Sequence, residues 1–245
     1  MDAATVALIP ALEIAAASVP GRLEGVNFLA PAGKRIGLIG PNGAGKSSLL
    51  QVAAGLLGPG GTVRWSGLPL EALDAAERGR RAAWVPQDAH FEFGFTVRSV
   101  VAQGRYAHGD DEHGVDAALE RFDLTHLAER PVTRISGGEK ERVLLARSVV
   151  TGAPLQLWDE PLAQLDPRHE LLVLQLARDL AARGATVIFS LHNLRAAAGL
   201  DLVAVMHRGR MRAFGPPQAV LSGELLLEVF GIRALTATGL AFELP

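Results

Sequence analysis

The chain has no cysteine among its 245 residues. Thiol catalysis, disulfide staples and cysteine-ligated metal centres are therefore excluded, and the lack is compatible with a reducing cytoplasm. It also lacks a strong charge of either sign: 24 Lys and Arg stand against 26 Asp and Glu, a net charge of -2. Such a balance gives no long-range attraction for nucleic acid or anionic lipid, so no nucleic-acid partner is expected and any anion must be held locally. No uninterrupted apolar run reaches the ~18 residues that a membrane span needs. The Ala-rich stretch Ala3 to Val19 looks like a signal peptide only superficially. Asp2 stands where a positive n-region is required, and Pro10 and Glu13 interrupt the run, which reads as an opening β-strand. Internal repeats and low-complexity tracts are absent too.

What is present is apolar material, 49% of the sequence, enough for one large α/β core or one core with a satellite. Short apolar runs recur between helical stretches at Arg35 to Ile39, Ala82 to Val85, Leu155 to Trp158, Thr186 to Ser190 and Leu202 to Met206. Buried runs alternating with helices predict a largely parallel sheet covered on both faces, hence an α/β fold. Residues 89–151 differ: Val115, Ala118, Leu119 and Phe122 follow helical spacing and no comparable strand occurs. This segment reads as a helical subdomain inserted into a core of residues 1–88 and 152–215, with 216–245 as a C-terminal segment. Three acids and two histidines between His108 and His113 read as a solvated loop rather than a metal site.

Three motifs carry chemistry. Gly40, Pro41, Asn42, Gly43, Ala44, Gly45, Lys46 and Ser47 follow an apolar strand and open a helix, Ser48 to Ala54, the context of a P-loop. Glycines let the backbone wrap closely round phosphate, and the helix N-terminus points N–H groups at it. Lys46 would reach the β- and γ-phosphates and Ser47 would ligate Mg²⁺. A chance match in a chain of this length is on the order of one in a hundred. The strand Leu155 to Trp158 ends in two carboxylates: Asp159 would serve the Mg²⁺ shell, and Glu160 would face an attacking water. Finally, Ser136, Gly137, Gly138 and Glu139 precede a helix through Arg142, Leu145, Ala146 and Val149. They form another nest of N–H groups, and a second phosphate reader suggests that two chains share each nucleotide.

In this order and spacing the motifs resemble, over essentially the whole chain, the nucleotide-binding subunits of ABC transporters. The resemblance implies a P-loop NTPase (RecA-like) core, an antiparallel β part near the N-terminus and an inserted helical subdomain. It places Walker A at Gly40 to Ser47 with Ser48 beside it, the signature motif at Ile135 to Glu139, and Walker B at Leu155 to Asp159 with Glu160 catalytic. Asp166, in Leu165-Asp166-Pro167, matches the D-loop aspartate. Gln87 matches the Q-loop glutamine, a metal and catalytic position, and His192 the switch histidine. It further implies ATP and Mg²⁺ as ligands and a homodimer closing head to tail. Ser136, Gly137 and Gly138 of one copy would then meet the γ-phosphate held by Lys46 of the other.

Two features depart from the family or narrow it. Most relatives carry an aromatic after the first strand to stack on adenine, whereas Ser18-Val19-Pro20-Gly21-Arg22 has none. Arg22 could lay its guanidinium plane on the base instead, with weaker base discrimination. Phe95-Thr96-Val97, then Gly104 to His108, and the tail through Gly209 to Phe214 and Leu225 to Gly231, are similar to ATPases of siderophore, haem and cobalamin importers. That implies a permease in the cytoplasmic (inner) membrane, a peripheral place on its cytoplasmic face, and an indirectly coupled substrate-binding protein. Phe91, Phe93 and Phe95 alternate near the expected permease groove, where a strand-like buried face and apolar docking are both open readings. A soluble ABC-type assembly ATPase without transport is the alternative function.

Overall fold

A computed structural model describes residues 9–88, 90–109 and 113–232. The chain opens with two strands, β1 (Leu12–Val19) and β2 (Leu23–Ala30), and continues into β3 (Arg35–Ile39) and α1 (Lys46–Ala53). Next come β4 (Thr62–Trp65), β5 (Leu68–Pro69), α2 (Ala75–Arg81) and β6 (Ala82–Val85). Three helices follow, α3 (Val97–Ala102), α4 (Val115–Arg121) and α5 (Gly137–Val150), joined by short 3-10 turns. The last part runs β7 (Leu155–Trp158), α6 (Pro167–Ala182), β8 (Thr186–Leu191), α7 (Leu194–Ala198) and β9 (Leu202–His207). It closes with β10 (Arg210–Gly215), α8 (Pro217–Val220) and α9 (Gly223–Phe230).

The strands form two sheets. The first is antiparallel, ordered β2-β1-β4-β5, and uses the N-terminal strands. The second is ordered β10-β9-β3-β8-β7-β6; it is parallel from β9 to β6, with β10 antiparallel at one edge. Its central strands are buried along their whole length, as in Leu155–Trp158 and Thr186–Leu191, because helices cover one face and the antiparallel sheet the other. All five apolar runs are strands of this sheet. Among the described residues, no strand lies between Val85 and Leu155, and Val115, Ala118, Leu119 and Phe122 are all buried on the helical side.

Two expectations change. The opening strand begins at Leu12, residues 1–8 lying outside the described set, and its register with β2 shifts around Ala17. Among the described residues the Phe91 to Phe95 segment is not a strand: its backbone meets a neighbour only at its end, where the Val132 N–H donates to the Phe95 carbonyl at 2.9 Å beside an isolated bridge from Thr96 to Pro131. Phe91 packs on the core, while Phe93 and Phe95 stand 67% and 51% exposed, edge to face with centroids 6.2 Å apart. In the His108–His113 loop, His108 Nε2 bonds the Thr151 carbonyl at 2.8 Å, and residues 110–112 are outside the described set. Among the described residues no helix is long and apolar enough to cross a membrane.

Candidate nucleotide site

In an open parallel sheet, ligands bind outside the carboxyl ends of the strands. Here the register fixes which residues arrive there. Val85, Trp158 and Phe189 lie level across β6, β7 and β8, and Ile39 pairs with Leu191 on the other side. The residues just beyond those ends are therefore Gln87, Asp159, Glu160, His192 and the loop from Gly40. One backbone bond tightens the row, from the Asp159 N–H to the Val85 carbonyl at 2.8 Å.

The loop after β3 turns back on itself and becomes α1 at Lys46. Gly45 stands just before the helix with φ +101°, a conformation open to glycine, and a Cβ there would lie 2.9 Å from the Arg22 carbonyl oxygen. The base-side loop and the phosphate loop thus touch through a residue that must have no side chain. Lys46 is 5% exposed, and its Nζ donates to the Gly40 carbonyl at 2.9 Å and, more loosely, to that of Pro41 at 3.4 Å. Burial holds its ammonium below the ordinary lysine range, while the carboxylates of Glu160 and Asp159 pull it back up.

Asp159 is 2% exposed. Burial pushes its carboxyl up, opposed by hydrogen bonds from Ser190 and Ser47, while Glu160 adds to the rise and Lys46 counters it. Ser190 is the residue that sequence reasoning passed over. Its hydroxyl donates to Asp159 Oδ1 at 2.6 Å and accepts the Glu160 N–H at 2.7 Å, fixing both acids at once. The only sequence signal was a hydroxyl at the end of an otherwise apolar strand.

Glu160 sits in a left-handed backbone conformation, φ +52°, which for a side chain with a Cβ costs roughly 1–2 kcal/mol. The turn throws its carboxylate away from Asp159 toward two other strand ends. Oε1 meets His192 Nε2 at 2.6 Å, and Oε2 accepts from the Gln87 amide at 3.1 Å. The Glu160 side chain is 12% exposed and that of His192 48%. Such a carboxylate can accept a proton from a water molecule at the open side.

These groups border one cavity of about 480 Å³. Residues 42–48 form its floor, Gln87, Glu160 and His192 one wall, and Gly21 and Arg22 the far mouth. Gly40 and Pro41 act from behind through their carbonyls. For Mg²⁺ the donor chemistry fits: the Ser47 hydroxyl stands near enough to the Asp159 carboxylate to lower it, which puts two hard oxygens in one corner beside Lys46. One carboxylate and one hydroxyl are a usual protein share for that ion, the rest coming from phosphate and water. Gln87 donates its amide N–H to Glu160, and that bond leaves its amide oxygen, the atom a cation would use, to the cavity.

The remaining expected residues lie elsewhere. Ser136 caps α5 in a closed capping box: its hydroxyl accepts the Glu139 N–H at 3.3 Å, and Glu139 Oε2 accepts the Ser136 N–H at 2.6 Å. Those bonds, the backbone one first, hold the Glu139 carboxyl below its ordinary range. Gly137 and Gly138 follow in the first turn. Asp166 caps α6 and binds His169. None of these five borders the cavity of its own chain.

The parallel sheet, the loop between β3 and α1 and the acids at the end of β7 define a P-loop nucleoside triphosphatase fold. Residues 23–163 match the ABC transporter family model, and the chain belongs to that family. It is 45% identical to a hemin import ATP-binding protein of Streptomyces coelicolor, over 85% of this chain and 77% of that protein. It is 41% identical to a cobalamin import ATP-binding protein of Halobacterium salinarum, over 88% of this chain. It spans only 56% of the length of that second relative. A solved ATP-binding subunit of an ABC transporter superposes with a TM-score of 0.79 at 27% identity, covering 91% of this chain and 95% of the other.

Proposed function

We propose that this chain is the ATP-hydrolysing subunit of an importer for an iron chelate, siderophore or haem, or for cobalamin. It works as a homodimer under a membrane permease, peripheral to the cytoplasmic face of the inner membrane, with a substrate-binding protein on the far side. The observation that carries the ATPase reading is the placing of Glu160. Its carboxylate is 2.6 Å from His192 and 3.1 Å from Gln87, at the edge of a cavity floored by the P-loop. The importer reading rests on the likeness to hemin and cobalamin import subunits.

The residues supply a consistent route. Lys46 exchanges its bond to the Gly40 carbonyl for one to the β- and γ-phosphate oxygens. Ser47 and Asp159, with the amide oxygen of Gln87, would hold Mg²⁺, which would neutralise charge on those phosphates. Glu160 accepts the proton of the water that attacks the γ-phosphorus, as the bond to the β-phosphate oxygen breaks. His192 donates from its ring to the developing charge, while Gln87 steadies the other carboxylate oxygen. Positioning and electrostatics perform most of such a reaction. Ser136, Gly137, Gly138 and Asp166 complete the site of the partner copy, so the isolated monomer is a poor ATPase.

The permease docks near Gln87 to Thr96, where a groove of about 280 Å³ is lined by Phe91, Phe93, Phe95 and Arg147. Co-expression with a candidate permease tests this: serine at Phe93 and Phe95 should abolish transport and leave basal ATPase intact. Unchanged transport, or a chain that purifies without any polytopic membrane protein, favours a non-transport assembly ATPase.

A further inference from the structure

Beyond the P-loop, five residues expected to hold nucleotide lie outside the cavity, and they come from two separate stretches of chain. Ser136, Gly137, Gly138 and Glu139 start α5, among the helices between β6 and β7. Asp166 precedes α6, which packs on the parallel sheet. Nothing in their sequence separation holds the two together.

Two contacts interlock them. Gln164 lies against the glycine pair so tightly that a Cβ on Gly137 would come within 2.3 Å of Gln164 Oε1. One on Gly138 would stand 2.9 Å from the Gln164 carbonyl oxygen. Further along both helices runs a chain of polar groups. His169, 6% exposed, has Nδ1 2.8 Å from Asp166 Oδ2, and its N–H donates to Asp166 Oδ1 at 3.0 Å. On its other side Arg142 Nη1 lies 2.8 Å from Nε2 and 3.3 Å from Nδ1.

An ionised Asp166 only accepts, so Nδ1 donates to it, while the near-equal distances of Arg142 Nη1 from both ring nitrogens place the guanidinium over the face of the ring. A buried ring that holds a carboxylate at its edge and a guanidinium on its face is an expensive way to fill space, since an apolar side chain would pack there with less desolvation. Arg142 even leaves its Nε buried without a partner while it reaches His169. The arrangement serves alignment rather than packing.

We propose that His169 is a positioning residue that locks Asp166 to the Ser136–Gly138 turn, so that each copy presents both as one rigid face to a second copy of this chain. The inference rests on the reading of a nucleotide site shared between two copies. His169 touches no nucleotide; it acts through Asp166 and Arg142. Losing it should leave the cavity of its own chain intact and spoil the surface that completes the partner's.

The test uses the full chain in a Glu160→Gln background, in which MgATP is expected to trap the closed dimer. Nucleotide binding is read by equilibrium dialysis and association by light scattering. Adding His169→Leu should leave MgATP affinity of the monomer within about twofold and weaken dimer formation about tenfold or more, the weight of two polar bonds. His169→Gln, whose planar amide can donate to Asp166 and lie against the Arg142 guanidinium, should restore association to within about threefold. Unweakened association in the leucine variant overturns the proposal. So does failure of the glutamine variant to rescue, or a parallel loss of nucleotide binding. A Glu160→Gln chain that stays monomeric in MgATP overturns the shared-site reading itself, and the lock falls with it.

Discussion

The P-loop half of the site and the signature half satisfy their polar groups in opposite ways. Around the loop, buried charges face one another: Lys46 sits among carbonyls and two acids, and Asp159 is pushed up by burial against the pull of two hydroxyls. At the signature turn, Ser136 and Glu139 close their bonds on each other at an accessible helix end. The first half holds charges that a bound phosphate and cation would rearrange. The second is already content and has only N–H groups to offer. Reactivity therefore resides in one place and presentation in the other, which is why the second depends on alignment by groups such as His169.

The sharpest way to break that contrast is Glu160→Gln. Phosphate release should fall by about 10²- to 10⁴-fold, the usual weight of a positioned base, with nucleotide binding retained. A rate near wild type would move the chemistry elsewhere. The next largest effect lies within the signature helix. Glu141, 1% exposed, has its carboxyl pushed up to about 8, by burial first and by the charge of Asp88 second, and Oε1 has no partner. The folded chain therefore binds this proton more tightly than the unfolded one. Its contribution to stability is fully present below the ordinary value of 4.5 and is lost as pH rises through about 8. Glu141→Gln should flatten that decline and raise stability at pH 9 relative to the parent, on the order of a few kcal/mol; denaturant midpoints at both ends of the window decide it.

Ser190→Ala should come third. It strips one hydrogen bond from Asp159 and one from the backbone of Glu160, costing about 1–3 kcal/mol of stability and roughly tenfold in turnover. Turnover unchanged at equal stability would mean the two acids hold their places without it. The smallest effect belongs to Arg22→Ala at the far mouth of the cavity. ATP affinity should drop about tenfold while tripolyphosphate affinity stays, and ATP over GTP preference in the parent should remain under about a hundredfold. A strong preference would place a better base reader than Arg22 in the site.

Much of this was legible in the chain. The five apolar runs gave the parallel sheet because each is a short, uninterrupted run between breakers, a pattern that buried parallel strands impose. The P-loop was legible because glycine, lysine and hydroxyl occur at fixed offsets beside a strand. Ser190, Arg142 and His169 were not. Ser190 meets Asp159 across 31 residues and Arg142 meets His169 across 27, and local pattern holds no trace of such pairings. The alternation of Phe91, Phe93 and Phe95 misled for a related reason: a period of two has meaning only where a neighbouring strand pairs along it, and among the described residues only the Phe95 end meets one. Domain bounds stay an inference from the sequence, since α5 and α6 touch across the junction they would draw.

The bond from Lys46 to the Gly40 carbonyl bears on turnover as well as on shape. On the proposed function this ammonium would give up an acceptor when phosphate enters and regain it when phosphate leaves. The exchange would lower the net grip on nucleotide, and it leaves no unanswered charge in the empty loop. A machine that must let go of its product many times is served better by such an internal placeholder than by a tighter clasp.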